Sequence, residues 1–568
     1  MKSLLYIITV LALLLFNSCE KFIDLKPLDK ISTNDYWNTT TDLKNYMLQF
    51  YPATFSETEM VNRDNNSDNV IQTTPDVVMH GQRVKSTGNW MNQWTNIRNV
   101  NIFLENYKKC KDDINSYKHY VGEAHFFRAM FYFNLLKMYG NLPWYSKSLQ
   151  IDSEQELMRP RDPRTLIVDS ILVDLDKAAL YLKARTTTGN NQLNKEAALA
   201  FKTRVALYEG TWQKYHANDP FGTTGANPNK YFQACIDAAE ELMSGNYKVG
   251  IYNTGNPDKD YYQLFGLDNM SAVNEVLFYR AFNAADGLGN IAQYLTTFYA
   301  YQKGFTWELV SSYLKKDGQP YDYLGLAKTT KGNAFLSKIA TDCDPRLKST
   351  IWIPGDLMSV SQNSFFTKPT INLGGLQLCT TGFQVKKTSN PSSRAAGLQW
   401  DTPAETGLIF FRYGEVLLNY AEAKYELNNT VAYTQLNLLR QRAGMPNFIV
   451  NPQSSDLNPV NYGYTISDEL YEIRRERRVE LALEGFRAGD YMRWAAHSIF
   501  KGKRSKGYPF SAAEFPNFIP RLDENSLIDY FANQMPNGYN FREGQDYLYS
   551  IPQDELTFNP NLLQNPGW

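Results

Sequence analysis

At 568 residues with 43% hydrophobic content, the chain is long enough for three or four average domains and apolar enough to bury a sizeable core. Its formal net charge of -1 argues against a nucleic-acid partner, whose phosphates require a basic surface, and gives no electrostatic attraction to anionic lipid. Aromatic residues make up 14%, with 38 Tyr and 10 Trp; aromatics dominate cores and interfaces alike, so the excess is compatible with a binding surface without requiring one.

Lys2 precedes an apolar run over residues 4–16, followed by Asn17, Ser18 and Cys19. A basic start, an apolar core too short to span a bilayer and a small residue before a break make a secretory signal over 1–18. A cysteine at the cleavage point resembles a bacterial lipobox, although Phe16 and Asn17 depart from the usual pattern of Leu, Ala or Ser, Gly or Ala, Cys. That resemblance makes Cys19 the lipidated residue and the only membrane anchor; each buried lipid methylene adds roughly 0.8 kcal/mol, so several acyl chains hold firmly. An ordinary secreted protein with an incidental cysteine is the alternative. The remaining cysteines, Cys110, Cys235, Cys343 and Cys379, form no C-x-x-C pair and no zinc spacing, so no metal or cofactor is expected. Cys235 fits a buried small hydrophobe, and Cys343 and Cys379 could pair in an oxidising compartment.

Residues 19–60 read as an anchor and extended lead-in, then a helix starting at Thr33 or Asn34 and running through Tyr36, Trp37, Leu43 and Met47. Residues 61–89 are polar and rich in Asn and Asp, which predicts a surface loop. Helical periodicity then dominates up to 245: Trp90, Trp94, Ile97, Asn101 and Leu104 share one face. Residues 123–139 are apolar on nearly every face, predicting a buried helix stopped by Gly140 and Pro143. Helices are expected over 165–183, 194–212 and 231–243, and again over 413–427 and 431–443. They come in pairs with short breaks, and Ala197, Ala198, Ala200 and Ala206 permit close packing. This is the manner of tetratricopeptide arrays, without a strict repeat. Between 246 and 404 helical runs shorten and Gly, Asn, Pro and Tyr accumulate, so this region reads as a loop-rich, aromatic subdomain; loops on a rigid scaffold are where binding groups concentrate. The expected architecture is mostly α: a helical-repeat scaffold of N-terminal (61–245) and C-terminal (405–568) helical regions flanking that middle. The Pro- and Asn-rich tail is expected to fold back onto the body.

In the C-terminal region, Ser467 is a good N-cap, with Asp468 and Glu469 in the first turn where the helix dipole favours negative charge. Strong helix formers fill the next sixteen residues. Glu472, Glu476, Glu480 and Glu484 fall four apart, in one column, and like charges at that spacing repel by a few tenths of a kcal/mol, roughly, per pair. Unless this is merely a solvated charged helix, part of the column must face cations supplied from elsewhere, with Arg474, Arg475, Arg477 and Arg478 reaching other partners.

The same stretch, read as Arg474, Glu476, Arg477, Glu480, Leu481, Glu484, Gly485, Arg487, Asp490, Arg493 and Trp494, resembles the signature helix of the SusD/RagB family, surface lipoproteins of Bacteroidetes that bind nutrients. The lead-in, the 123–143 block, the Gly414–Ala423 stretch with its partner around Leu439–Gly444, and the Pro- and Asn-rich ending resemble the same family. The resemblance spans about 20–60, 90–145, 195–245, 405–500 and 545–568, with the middle diverged. It implies an outer-membrane, lipid-anchored protein facing the cell exterior that captures an oligosaccharide or polysaccharide and passes it to a TonB-dependent, SusC-like barrel; a peptide ligand is the alternative.

Enzyme signatures are missing: no G-x-S-x-G elbow, P-loop, H-E-x-x-H or dinucleotide fingerprint occurs, and only five histidines are present. A glycoside hydrolase would need two carboxyls about 5 to 10 Å apart in a cleft, which 59 acidic residues can supply by chance. The Asp342-Cys343-Asp344-Pro345-Arg346 run reads as a turn rather than a metal loop. Sugars present apolar C–H faces and hydroxyl rims, so their sites favour aromatic platforms bordered by polar side chains. Two stretches fit, 89–94 and 298–303 leading to Phe305 and Trp307. Trp90, Tyr301 and Trp307, with Asn89 and Arg83 by neighbourhood, are the expected ligand contacts; Trp94 fits the core better. A helical scaffold with only protein partners is the third reading.

Overall fold

The computed structural model describes residues 36–54, 59–85, 90–150, 152–393 and 403–568. Cys19, Asn89 and the signal segment lie outside these ranges. Among the described residues, the helices of nine residues or more are α1 (Thr40–Leu48), α2 (Trp90–Asn106), α3 (Ile114–Tyr139), α4 (Arg164–Tyr181), α5 (Lys195–Tyr215), α6 (Pro228–Met243), α7 (Gly332–Asp342), α8 (Tyr413–Asn428), α9 (Tyr433–Arg442) and α10 (Asp468–Glu480). Three small antiparallel ladders join β1 (Val70–Gln72) to β3 (Lys303–Phe305), β2 (Val276–Arg280) to β6 (Leu408–Arg412), and β4 (Leu357–Ser359) to β5 (Ser364–Phe365). The protein is mostly α, with a tetratricopeptide-like helical scaffold.

The scaffold follows from capping and patterning. Asp113, Asn194 and Asn227 cap α3, α5 and α6 by accepting from backbone N–H groups two or three residues on, which satisfies donors a bare helix end leaves open. Helix α3 is apolar around its circumference and accordingly sits inside the stack, between α2 and α4. Helix α5 packs on α4, α6 and α8; its alanines Ala197, Ala198, Ala200 and Ala206 are fully buried and let the axes approach. The tail does fold back: Asn565 Nδ2 donates to the Tyr139 carbonyl (3.0 Å) and to that of Tyr549 (2.7 Å). The middle region builds a second core, in which Phe305, Trp307, Tyr323, Phe335 and Phe383 meet Val479 and Leu483 from the end of α10. Cys110, Cys235, Cys343 and Cys379 are all buried free thiols.

Three expectations are corrected. Helix α1 starts at Thr40, where Thr39 and Asp42 form a reciprocal capping box, so Tyr36 and Trp37 precede it in a turn rather than lying within it; Thr33 and Asn34 lie outside the described residues. The 61–89 segment is not a surface loop at its start: Asp64, Ser67, Asp68 and Asn69 are buried and lead into β1. The signature helix stops at Glu480; Leu483 and Gly485 adopt left-handed conformations (φ 63° and 83°), and their N–H groups donate to Asp64 at 2.8 and 2.9 Å. The Asp64 carboxylate thus takes over the donors that a continuing helix would have used.

The acidic column is neutralised internally. Glu476 accepts from Arg346 (2.6 Å) and Arg440 (2.7 Å). Glu480 accepts from Arg346 (2.8 Å) and Arg412 (2.9 Å) and also from Arg442. Glu484, just past the helix, accepts from Lys387 (2.8 Å) and Arg412 (2.7 Å). Burial alone would raise these three carboxyls, but the guanidinium and ammonium partners outweigh it and hold all three below the usual range. Glu472, with only Arg475 at 3.1 Å, is raised to about 7 by its burial. On the other face Arg478 and Arg487 grip Asp68 (2.9 and 2.6 Å), and Arg493 holds Glu422 (2.6 Å). Arg474 lies against the rings of Trp494, Tyr215 and Tyr462, 4.2 to 4.9 Å from their centres.

Removing one partner from such a cluster strands buried charge, which costs about 3–5 kcal/mol. Glu480→Gln is therefore expected to destabilise by that amount in denaturant unfolding, with Arg346, Arg412 and Arg442 left over-charged. Asp68 is opposed by desolvation but held at about 2 by Arg478 and Arg487, against 3.8 for a free side chain. A carboxyl that binds its proton more weakly when folded stabilises fully above the unfolded value, so this contribution fades as pH falls from about 4 towards 2. Asp68→Asn should lose stability already at neutral pH and show a shallower acid decline in urea midpoints than the wild type.

Candidate ligand-binding site

The second aromatic stretch forms an exposed ledge. Residues Tyr294–Phe298 make a single wide turn closed by the Tyr299 N–H on the Tyr294 carbonyl (3.3 Å); such i→i+5 turns recur at functional sites. Phe298 is 44% exposed. Its ring lies 6.3 Å from that of Tyr294 and nearly parallel (13°), and Tyr299 closes the group with centroids 4.5 Å from Tyr294. The Tyr294 hydroxyl donates to that of Tyr299 (2.9 Å). Immediately after it, Tyr301 and Gln302 are both left-handed (φ 54° and 57°), a conformation costing roughly 1–2 kcal/mol for each non-glycine residue.

What holds this strained turn is visible around it. The Tyr301 N–H donates to the Leu376 carbonyl (2.8 Å), and the turn feeds β3, paired with β1 in the register Gln72↔Lys303. Lys303 is buried beneath the Tyr301 ring, 5.1 Å from its centre, and its ammonium donates to Asn62 Oδ1 (2.7 Å) and the Val61 carbonyl. Burial lowers that ammonium to about 7. Asn65 Nδ2 bridges Asn62 (3.0 Å) and Gln72 (3.3 Å), so amides line the rim on this side.

On the other side the Trp352 indole donates to the Thr296 carbonyl (2.8 Å), and Gln293 joins the Thr388 carbonyl (3.1 Å) to the Asn390 N–H (2.7 Å). Beyond that segment opens a polar cavity of about 860 Å³ bordered by Tyr262, Asp268, Asp356, Lys348, Lys386 and Asn390. Two of its three lysines are paired: Lys386 bonds Asp356 (2.8 Å) and Lys348 bonds Asp258 (2.7 Å). Burial lowers the Lys386 ammonium despite Asp356. The ledge and cavity together offer flat apolar faces next to amides, hydroxyls and paired charges, suited to a neutral, hydroxyl-rich ligand. Among the described residues no cluster of three or more His, Cys, Asp or Glu could hold a metal, and no helix is long and apolar enough to cross a membrane.

The residues expected from the sequence scatter. Tyr301 lies at the ledge, half-buried. Trp307 is corrected to core: it is 6% exposed between Tyr323 and Phe335. Arg83 is corrected too: its guanidinium is sandwiched 4.3 Å from Tyr549 and 5.6 Å from Trp568 and bonds the Asp546 carbonyl, clamping the tail. Trp90 is 7% exposed, away from the ledge, against Tyr139. Every signature residue is structural: Leu481 packs in the main core, Gly485 makes the turn, Trp494 donates to Glu422 (2.7 Å), and the others are partners in the charge network. Tyr294, Asn62, Gln72 and Tyr262 were not singled out from sequence; only the aromatic density around 294–301 could have flagged the first. Replacing Gln302 by glycine removes one left-handed penalty and should raise unfolding free energy by about 1 kcal/mol, measured by denaturant melts.

Residues 274–568, more than half of the chain, match the SusD family, and residues 21–207 match a family described as starch-binding associating with outer membrane. SusD-like protein P2 of Formosa agariphila is 22% identical over 488 residues, covering 84% of this chain and 80% of the relative. A SusD-like protein of Bacteroides fragilis superposes with a TM-score of 0.70 at 22% identity, over 96% of this chain and all of that one. A SusD-like carbohydrate binding protein of the same organism gives 0.71 at 21% identity, over 93% and 100%. The chain belongs to the SusD/RagB family.

Proposed function

We propose that this protein binds an oligosaccharide or polysaccharide outside the cell and passes it to a TonB-dependent, SusC-like outer-membrane barrel, being tethered through lipid on Cys19 and facing the exterior. The observation that carries the ligand class is the Tyr294–Phe298–Tyr299 ledge: three rings kept at the surface by a strained, well-braced turn, beside amides and a charge-balanced polar cavity. Exposed rings are matched to the C–H faces of sugars, and the neighbouring amides and hydroxyls to their rims. The Bacteroides fragilis neighbour, described as a carbohydrate binding protein, and the starch-binding description of the matched family support the same class. Binding rather than catalysis fits a cavity in which Lys348 and Lys386 are already paired with Asp258 and Asp356. The lipid anchor and the barrel partner rest on the lipobox-like Cys19 and on the family.

Base- or sugar-stacking aromatics of this kind are energetic hot spots, and truncating such anchors typically costs about 2 kcal/mol or more. Phe298→Ala combined with Tyr299→Ala is expected to weaken binding at least about thirtyfold on a polysaccharide affinity gel, with the melting temperature little changed because both rings are at the surface. Undiminished retention on every polysaccharide that retains the wild type would refute the ledge as the site. Pull-down from detergent-solubilised outer membrane should bring a large barrel protein with the wild-type chain; its absence would remove the hand-over step.

A further inference from the structure

Helix α2 presents Trp90, Trp94 and Arg98 at successive four-residue steps, one column on its surface. In front of that column lies a cavity of about 570 Å³ that shares no lining residue with the ledge or the polar cavity beside it. Its volume falls within the roughly 300–1,000 Å³ range of small-ligand sites. The Trp90 and Trp94 rings are 5.4 Å apart, and Tyr145 stands edge-on to Trp94 at 5.5 Å, so three aromatics form one wall.

The walls are fixed by dedicated bonds. Asn101 Nδ2 donates to the Tyr145 (2.9 Å) and Lys147 (3.1 Å) carbonyls, and its Oδ1 accepts from Arg128 (2.9 Å). Opposite, the tail contributes Glu555 and Leu562, held in place by Asn559, whose amide donates to the Leu157 and Arg159 carbonyls at 3.1 Å. Besides Lys147, two charged groups line this cavity without an ionic partner among the described residues. Arg98 donates only through Nε to the Leu149 carbonyl (3.2 Å). Among the described residues the Glu555 carboxylate receives no donor, and burial followed by neighbouring Asp554 raises it. A purely apolar occupant would leave both unsatisfied, at a cost. A sugar ring meets every demand at once: its C–H face covers the indoles, a hydroxyl donates to the carboxylate, and another accepts from the guanidinium.

We propose that this cavity is a second carbohydrate site, open to solvent on one side and sized for a short, neutral oligosaccharide, separate from the ledge. The proposal rests on the reading of the chain as a glycan binder. The test is titration calorimetry of the full chain against maltotriose, cellotriose, xylotriose and mannotriose, with tryptophan fluorescence followed in parallel. Three proteins are compared: wild type, the ledge variant Phe298→Ala/Tyr299→Ala, and the cavity variant Arg98→Ala/Glu555→Gln, whose melting temperatures should agree. The expected result is that at least one trisaccharide binds the ledge variant with a fluorescence change and that the cavity variant weakens this event at least tenfold. Binding abolished by the ledge substitutions alone overturns the cavity while leaving the ledge intact. A panel in which neither variant differs from wild type overturns both. A fluorescence response to an aromatic tripeptide, with none to any trisaccharide, overturns the ligand class assigned to the cavity.

Discussion

The molecule is organised around carboxylates that sit in its interior and must be met there by arginines and one lysine. Glu476, Glu480 and Glu484 gather cations from β6, α9 and two points of the middle region, Arg346 and Lys387. Such clusters are a weak source of net stability, since desolvation consumes most of the Coulombic gain. They tie the middle region to α10: drawing Arg346 or Lys387 away would strand a buried carboxylate inside. With that docking fixed, the 294–303 segment is placed with enough support to tolerate two left-handed residues in succession. The network and the ledge are in this sense one construction, the first supplying the constraint that the second spends at the surface.

The helical body was largely legible from residues alone. The all-round apolar 123–139 stretch, the alanines of α5 and the Ser467 cap each act locally, over one or two turns, and local rules read them. The need for internal cations was also readable, because a column of four glutamates makes little sense in water. Illegible were features whose cause lies far along the chain. Asp64 and Asp68 look like loop residues, and their composition is that of a loop; they are buried because Arg478, Arg487 and the 483–485 turn come to them from the other end of the sequence. The same reason ends α10 at Glu480 among strong helix formers: the competing partner was not local.

The binding groups show the same division. The aromatic density around residue 300 marked the ledge, yet which rings face outward depends on the wide turn at Tyr294 and the reversal at Tyr301, neither of which has a composition signal. Trp307, two residues beyond β3, looked equally suitable and is instead stacked on Phe335 in the second core. Arg83 pointed towards a ligand by neighbourhood and grips the tail. Tryptophan and arginine are favoured both at interfaces and in packed cores, so residue type without depth separates the two poorly.

The pairing of Asp68 with Arg478 and Arg487 spans 410 and 419 positions, and the final residue, Trp568, donates its indole N–H to the Leu548 carbonyl and lies over Arg542. Contacts of such sequence separation slow folding, because the closure entropy falls due before the contact rewards it. The segment holding Asp68 therefore stays without its counter-charges until Arg478 and Arg487 have joined the fold. The order of assembly is thereby set by the fold itself: helices that pack on their sequence neighbours can form early, and the buried carboxylates close the structure late.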